Sequence, residues 1–225
     1  MFDFHLHSIY SDGDEDIATI LRTALRRGLK AIAITDHADA QGKFMYLRTV
    51  EEPKPLSAYI NEIKQVRKDS PIPIYIGLEI CEFSSNYEEN IPILFNSLDF
   101  ILVETFAVQN PSANRFNPLK EAIKLKEIFS IPIGLAHPNI DYIVVNIDEI
   151  EKNNIFLELN SDKLFRDPIG KDNTIKKLKD AIELHPNIKL SVGSDAHIMF
   201  TIGAIKDVMD FIVANDFMDK IIFND

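Results

Sequence analysis

The sequence predicts an α/β protein in which short parallel strands alternate with amphipathic helices along one domain spanning residues 1–225. Three observations carry this reading. Short runs rich in Ile, Val, Leu and Phe recur along the chain, as strands buried on both faces require. Stretches with apolar residues at helical spacing lie between them. No change in composition marks a second domain.

In chain order, the strand candidates are 2–6, 31–35, 74–78, 100–103, 133–136, 156–159 and 190–192. The amphipathic stretches are 17–27, 56–66, 119–129, 175–184 and 205–213. Alternation of this kind implies a parallel sheet with right-handed crossovers. Seven strand-helix units fit the length. The longest irregular stretch, 41–55, follows the second strand and is placed to cover the mouth of a barrel, as is 112–118 after the fourth. An open, doubly wound sheet is the other arrangement of such units.

Composition excludes several classes. Hydrophobic residues make up 46% of the chain, yet no apolar run is long enough to span a bilayer. The opening Met1-Phe2-Asp3-Phe4-His5 lacks the basic start of a signal peptide. A single cysteine, Cys81, rules out an internal disulfide and fits a reducing compartment. A cytoplasmic protein is the expectation. The net charge of −11 argues against broad nucleic-acid binding. It is compatible with a small phosphorylated substrate, because bound cations make one pocket positive within an acidic protein. A homo-oligomer is compatible with the sequence.

Of the 6 histidines, 5 fall at or just beyond the carboxyl end of a strand candidate: His5, His7, His37, His137 and His197. Asp12, Asp36, Glu79 and Asp195 accompany them. In a parallel β/α barrel these ends meet at one face, where active sites form, whereas an open sheet would spread them along an edge. The clustering therefore favours closure. His5 and His7 are two apart and project to the same side of a strand. Asp195 and His197 repeat that spacing. Imidazole with carboxylate is a ligand set for zinc, manganese or iron. Asp3, two before His5, is placed to orient it. Taken singly, each of these residues also has a structural reading: Asp12-Gly13 as a turn, Asp36 as a cap, Glu79 as an ion-pairing carboxylate.

The set His5-Leu6-His7-Ser8, Ser11-Asp12-Gly13, Thr35-Asp36-His37, Gly77-Leu78-Glu79, Ala136-His137-Pro138 and Gly193-Ser194-Asp195-Ala196-His197 resembles the polymerase-and-histidinol-phosphatase (PHP) family. The closing stretch through Phe200-Thr201-Ile202-Gly203 is similar to its small stand-alone phosphatases. The resemblance implies a distorted seven-stranded (β/α) barrel, TIM-barrel-like, and two or three divalent metal ions (Zn, Mn or Fe). It implies one metal on His5, His7, Glu79 and Asp195. A second would share Glu79 and add His137. A third would sit on Asp12, His37 and His197. Catalysis would rest on His5, His7, His37, Glu79, His137, Asp195 and His197.

One position departs from the family pattern. Phe106 stands where a histidine serving the second metal is usual. Glu104, two residues earlier, points to the same side if the strand continues, and as an oxygen donor it favours a harder ion such as manganese. Arg166 and Asn160, beyond and at the end of the sixth strand, are candidate substrate contacts. Lys43, Arg48 and Arg115 are further phosphate candidates. Cys81 reads as a packing residue, and His185, near a helix end, as structural.

The function expected is hydrolysis of a small phosphate monoester by a water activated between metals. Rival readings are a phosphodiesterase or exonuclease of the same family, an amidohydrolase (for which the bridging lysine is missing), and a non-catalytic scaffold subunit that has lost ligands.

Overall fold

Helix α1 (Ile17–Arg26) shows how local sequence sets the elements. Asp16 caps it by accepting a hydrogen bond from Thr19 N at 2.7 Å, and Ile17, Ile20, Leu21 and Ala24 line its buried face. The computed structural model describes residues 1–48, 53–82, 91–105, 117–164 and 171–223. The strands are β1 (Phe2–Asp3), β2 (Ala31–Ile34), β3 (His37–Asp39), β4 (Ile74–Ile76), β5 (Glu79–Glu82), β6 (Ile101–Val103), β7 (Ile133–Leu135), β8 (Phe156–Asn160) and β9 (Leu190–Gly193). The remaining helices are α2 (Leu56–Lys68), α3 (Ile91–Phe95), α4 (Pro118–Ile128), α5 (Ile140–Lys152), α6 (Ser161–Leu164), α7 (Lys171–Leu184) and α8 (Lys206–Ala214). No helix among the described residues is long and apolar enough to cross a membrane.

Among the described residues, every pairing between these strands is parallel. The nine strands follow the seven expected paths, because two paths are interrupted. Thr35 and Asp36 separate β2 from β3, and Gly77 and Leu78 separate β4 from β5. The ladders consequently divide into a three-stranded sheet, β1-β2-β4, and a six-stranded sheet, β3-β5-β6-β7-β8-β9.

The expected seven-stranded barrel is thus not formed as one closed ladder. Side chains take over backbone partners at the breaks. Leu6 N donates to Thr35 Oγ1 at 3.1 Å, and Asp36 receives the backbone N–H and the hydroxyl of both Ser8 and Ser11. Among the described residues, scattered backbone hydrogen bonds join the first path to the last: Phe4 N to Val192 O at 2.7 Å, His7 N to Ala196 O at 3.0 Å and Ala196 N to His5 O at 3.4 Å. Tyr59, fully buried on α2, ties the two breaks together by donating to both Ile34 O and Gly77 O.

Helix α5 lies in a segment that the sequence pattern left unassigned. Its buried Ile140, Ile143, Ile147 and Ile150 have helical spacing, and Asn139 caps it. The β-branched run Ile143-Val144-Val145 masks that signal, since such residues favour strands. At the end of the strands away from the histidines, Phe223 stacks on Tyr75 with ring centroids 4.3 Å apart and meets Phe4 and Phe100 edgewise or tilted. Ile222 N donates to Leu190 O at the start of β9, so the terminal segment lies under that end.

Candidate metal centre

Interrupting β2 and β4 has a local consequence: His37 opens β3 and Glu79 opens β5, paired with each other in register. Both side chains thereby join His5 and His7, which close the first path. Glu104 follows β6, His137 follows β7, and Asp195 and His197 follow β9. His137 and Asp195 have positive φ values of 32° and 55°, unusual for residues with a side chain. A Cβ at Gly193 would lie 2.1 Å from Glu158 Oε1 and 2.5 Å from His5 Cβ, so only glycine lets β9 approach the site this closely.

The first donor group is His5, His7, Glu79 and Asp195, nearly or fully buried. His5 Nε2 lies 3.0 Å from His7 Nε2, 3.2 Å from Glu79 Oε2 and 3.6 Å from Asp195 Oδ1. His7 Nε2 lies 3.5 Å from Glu79 Oε2 and 3.2 Å from Asp195 Oδ1. Four ligands at tetrahedral zinc distances have edges of about 3.3 Å. The spacing fits a cation at the centre. The two facing nitrogens have at most one proton to share, and the two carboxylates supply none when ionised.

Glu79 divides its two oxygens. Oε2 belongs to the first group, while Oε1 is 3.1 Å from His137 Nε2, which is in turn 3.5 Å from Glu104 Oε2. Glu79, Glu104 and His137 form the second group. The third comprises Asp12, His37 and His197, together with His7. Asp12 lies 3.2 Å from His197 Nε2 and 3.7 Å from His37 Nε2. All eight sequence-predicted donors, and Glu104, are therefore brought together.

Proton affinities follow from this crowding. Burial opposes charge on His5, but Glu158 and Glu79 outweigh it and raise its pKa well above the ordinary histidine range. Burial and the neighbouring His37 lower His7 to about 3. His137 overcomes its burial through Glu79 and rises to about 9. Burial works against ionising Glu79, yet His5, His37 and His137 hold its carboxyl far below the usual range. Asp12, also opposed by burial, is lowered to about 2 chiefly by His197.

Several expected roles are redistributed. Asp3 accepts from Ser194 N, Ser194 Oγ and Gly203 N, so it fixes the turn that carries Asp195. The imidazole of His5 is oriented instead by Glu158, whose Oε1 lies 2.9 Å from Nδ1. Glu158 Oε2 also accepts from His137 N at 2.7 Å. The pattern reading passed over Glu158; its signal was a lone charge inside the apolar strand Phe156-Leu157-Glu158-Leu159. Cys81, read as packing, reaches the site: its Sγ is 3.0 Å from His37 Nδ1 and groups with His37 and Glu104. Asn160 is fully buried, its amide donating to Glu158 and its Oδ1 accepting from Lys163 N. Lys163 Nζ lies 3.7 Å from Asp195 Oδ2, a cation at the site that the sequence did not single out. Arg48 pairs with Asp14, Lys43 is exposed, and His185 bonds Ala181 O and Asp148 at the end of α7. Phe106, Arg115 and Arg166 lie outside the described residues.

Parallel strands whose carboxyl ends present adjoining His/Asp/Glu donor groups give this chain candidate metal-binding clusters at one face. Comparison with known proteins agrees. Residues 3–100 match the PHP domain, so the resemblance drawn from the motifs holds for the part of the chain that carries most of them. Over its whole length the chain is 23% identical to a protein of Clostridium acetobutylicum named as a probable phosphatase, covering 90% of that relative. Its fold is similar to histidinol phosphate phosphatase from Lactococcus lactis, solved with zinc, L-histidinol and phosphate (TM-score 0.59, 20% identity, 95% of this chain and 93% of the other). It is also similar to a chain in archaeal ribonuclease P with mature tRNA (TM-score 0.58, 12% identity, 100% and 87%).

Proposed function

We propose that this protein is a metal-dependent phosphoesterase that hydrolyses a small phosphate monoester. The observation that carries the reading is the division of Glu79 between two donor groups, Oε2 with His5 and His7 and Oε1 with His137. A carboxylate so placed suits two neighbouring cations. His5, His7, Glu79 and Asp195 would hold the first, and Glu79, Glu104 and His137 the second. Asp12, His37 and His197 would hold a third. Such cations supply an activated water and neutralise phosphoryl oxygens.

The chain's own residues set the rest. Glu158 fixes the ring of His5 and the backbone of His137. Asp36 holds the Ser8–Ser11 loop that presents Asp12. Glu104 takes the part of the histidine missing at Phe106. Arg166 and Lys163, following β8, are placed in sequence to meet the phosphate. The relative named as a phosphatase and the zinc and phosphate of the Lactococcus enzyme support the same assignment.

Elemental analysis of purified protein, paired with phosphate release from an aryl phosphate and from an aryl phosphodiester, tests it. Two or three metals per chain are expected, with monoester turnover abolished in His7→Ala. A protein that takes up no zinc or manganese and releases no phosphate would instead be a scaffold. Turnover of the diester alone would make it a phosphodiesterase.

A further inference from the structure

The segment after β3 folds back over the site. Asp39 N donates to Lys43 O at 2.9 Å, Ala38 bridges Phe44 antiparallel, and Met45 N donates to His37 O at 3.0 Å. Gly42, at φ +72°, makes the reversal. Phe44 then buries its ring against Tyr10 and Tyr59. On the far side, Arg48 is paired with Asp14 in the loop after β1. The chain is therefore anchored before and after Tyr46.

Tyr46 itself is anomalous. Its φ is 57°, in the left-handed region where glycine or asparagine is the economical choice. Holding an aromatic residue there strains the backbone at a cost. Burial does not return that cost, because Tyr46 is 58% exposed. What the strained backbone achieves is placement: the ring stands edge-on to His37, with centroids 5.0 Å apart and planes at 87°. Tyr46 thus lies between His37 and solvent, on the outer side of the donor groups.

We propose that Tyr46 is a substrate-contacting residue that grips the leaving alcohol of the ester, its ring packing on that portion and its hydroxyl donating a hydrogen bond. The inference rests on the phosphoesterase reading. If the phosphoryl group lies among the cations, the alcohol points outward, toward the one exposed aromatic ring packed on a donor histidine among the described residues. The class of substrate implied is a monoester whose alcohol offers a flat or apolar surface and a hydrogen-bond acceptor.

Steady-state kinetics on 4-nitrophenyl phosphate, whose alcohol carries a flat ring and an accepting nitro group, with inorganic phosphate as competing ligand, tests this on the metal-loaded protein. In Tyr46→Phe the KM is expected to rise roughly threefold to tenfold, the worth of one hydrogen bond. Tyr46→Gly is expected to raise it further. The inhibition constant of inorganic phosphate, which has no alcohol, and the metal content should stay unchanged in both. Tyr46→Gly should also melt higher by about 2–4 °C, as strain is relieved. An unchanged KM in both variants, or a lower melting point for Tyr46→Gly, would overturn the proposal and make Tyr46 a structural residue. Wild-type protein that neither hydrolyses 4-nitrophenyl phosphate nor binds phosphate would overturn the phosphoesterase reading itself.

Discussion

Glu158 is buried in the middle of β8 with three obligations: His5 Nδ1, His137 N and Asn160 Nδ2. A carboxylate accepts all three, whereas an amide has one accepting oxygen and would set a donor against another donor. Glu158→Gln is therefore expected to weaken the tightest metal about 10–100-fold, the usual loss when a group orienting a ligand is changed. Competition with a chromophoric chelator would measure it, and unchanged affinity would mean that the His5 ring is fixed by packing alone. At this scale the sequence was most informative about ligands. His5, His7, His37, His137 and His197 stand out because imidazoles recur at the ends of apolar runs. Glu158 was legible only as a charge out of place, and Tyr46 not at all, because a left-handed φ leaves no mark when the residue is neither Gly nor Asn.

The strand paths were legible in number but not in their interruptions, and helices α3, α5 and α6 were not legible at all. Helix α1 and β2 follow from apolar spacing. The breaks at Thr35-Asp36 and Gly77-Leu78 do not, because those residues continue an ordinary strand pattern and the break depends on partners elsewhere: Ser8, Ser11 and Tyr59. Tyr59 is the clearest test. Its hydroxyl is the shared donor to Ile34 O and Gly77 O in a fully buried setting. Tyr59→Phe removes no ring volume but leaves those carbonyls with fewer donors. A loss of about 1–3 kcal/mol is expected in denaturant melts with an unchanged m value. A loss within a few tenths of a kcal/mol would mean that the backbone bonds at the breaks suffice.

For the molecule as a whole, the donor groups make stability depend on pH and metal together. In the metal-free protein His137 is raised from 6.5 to about 9, and His5, His37 and His197 are raised too. Between 6.5 and about 9 the folded state thus binds more protons than the unfolded state, and stability falls as pH rises. His7, lowered to about 3, acts with the opposite sign in a separate window: below 6.5 the unfolded state binds the extra proton, and stability falls as pH falls. Chelator-treated protein should melt highest near pH 6.5 and lose stability on either side. Metal-loaded protein should melt higher throughout and lack the alkaline decline, since its histidines carry metal in place of protons. Thermal melts across both windows, with and without chelator, would check this. A metal-free protein whose melting point rises from 6.5 toward 9 would contradict the charges assigned here.

The aromatic cluster of Phe4, Tyr75, Phe100 and Phe223 at the other end of the strands bears on traffic as well as on packing. With rings packed across that end, a phosphoesterase would use the face carrying the histidines as both entrance and exit. Reactant and products would then pass through one doorway in turn, and whatever lingered there would hold up the next arrival.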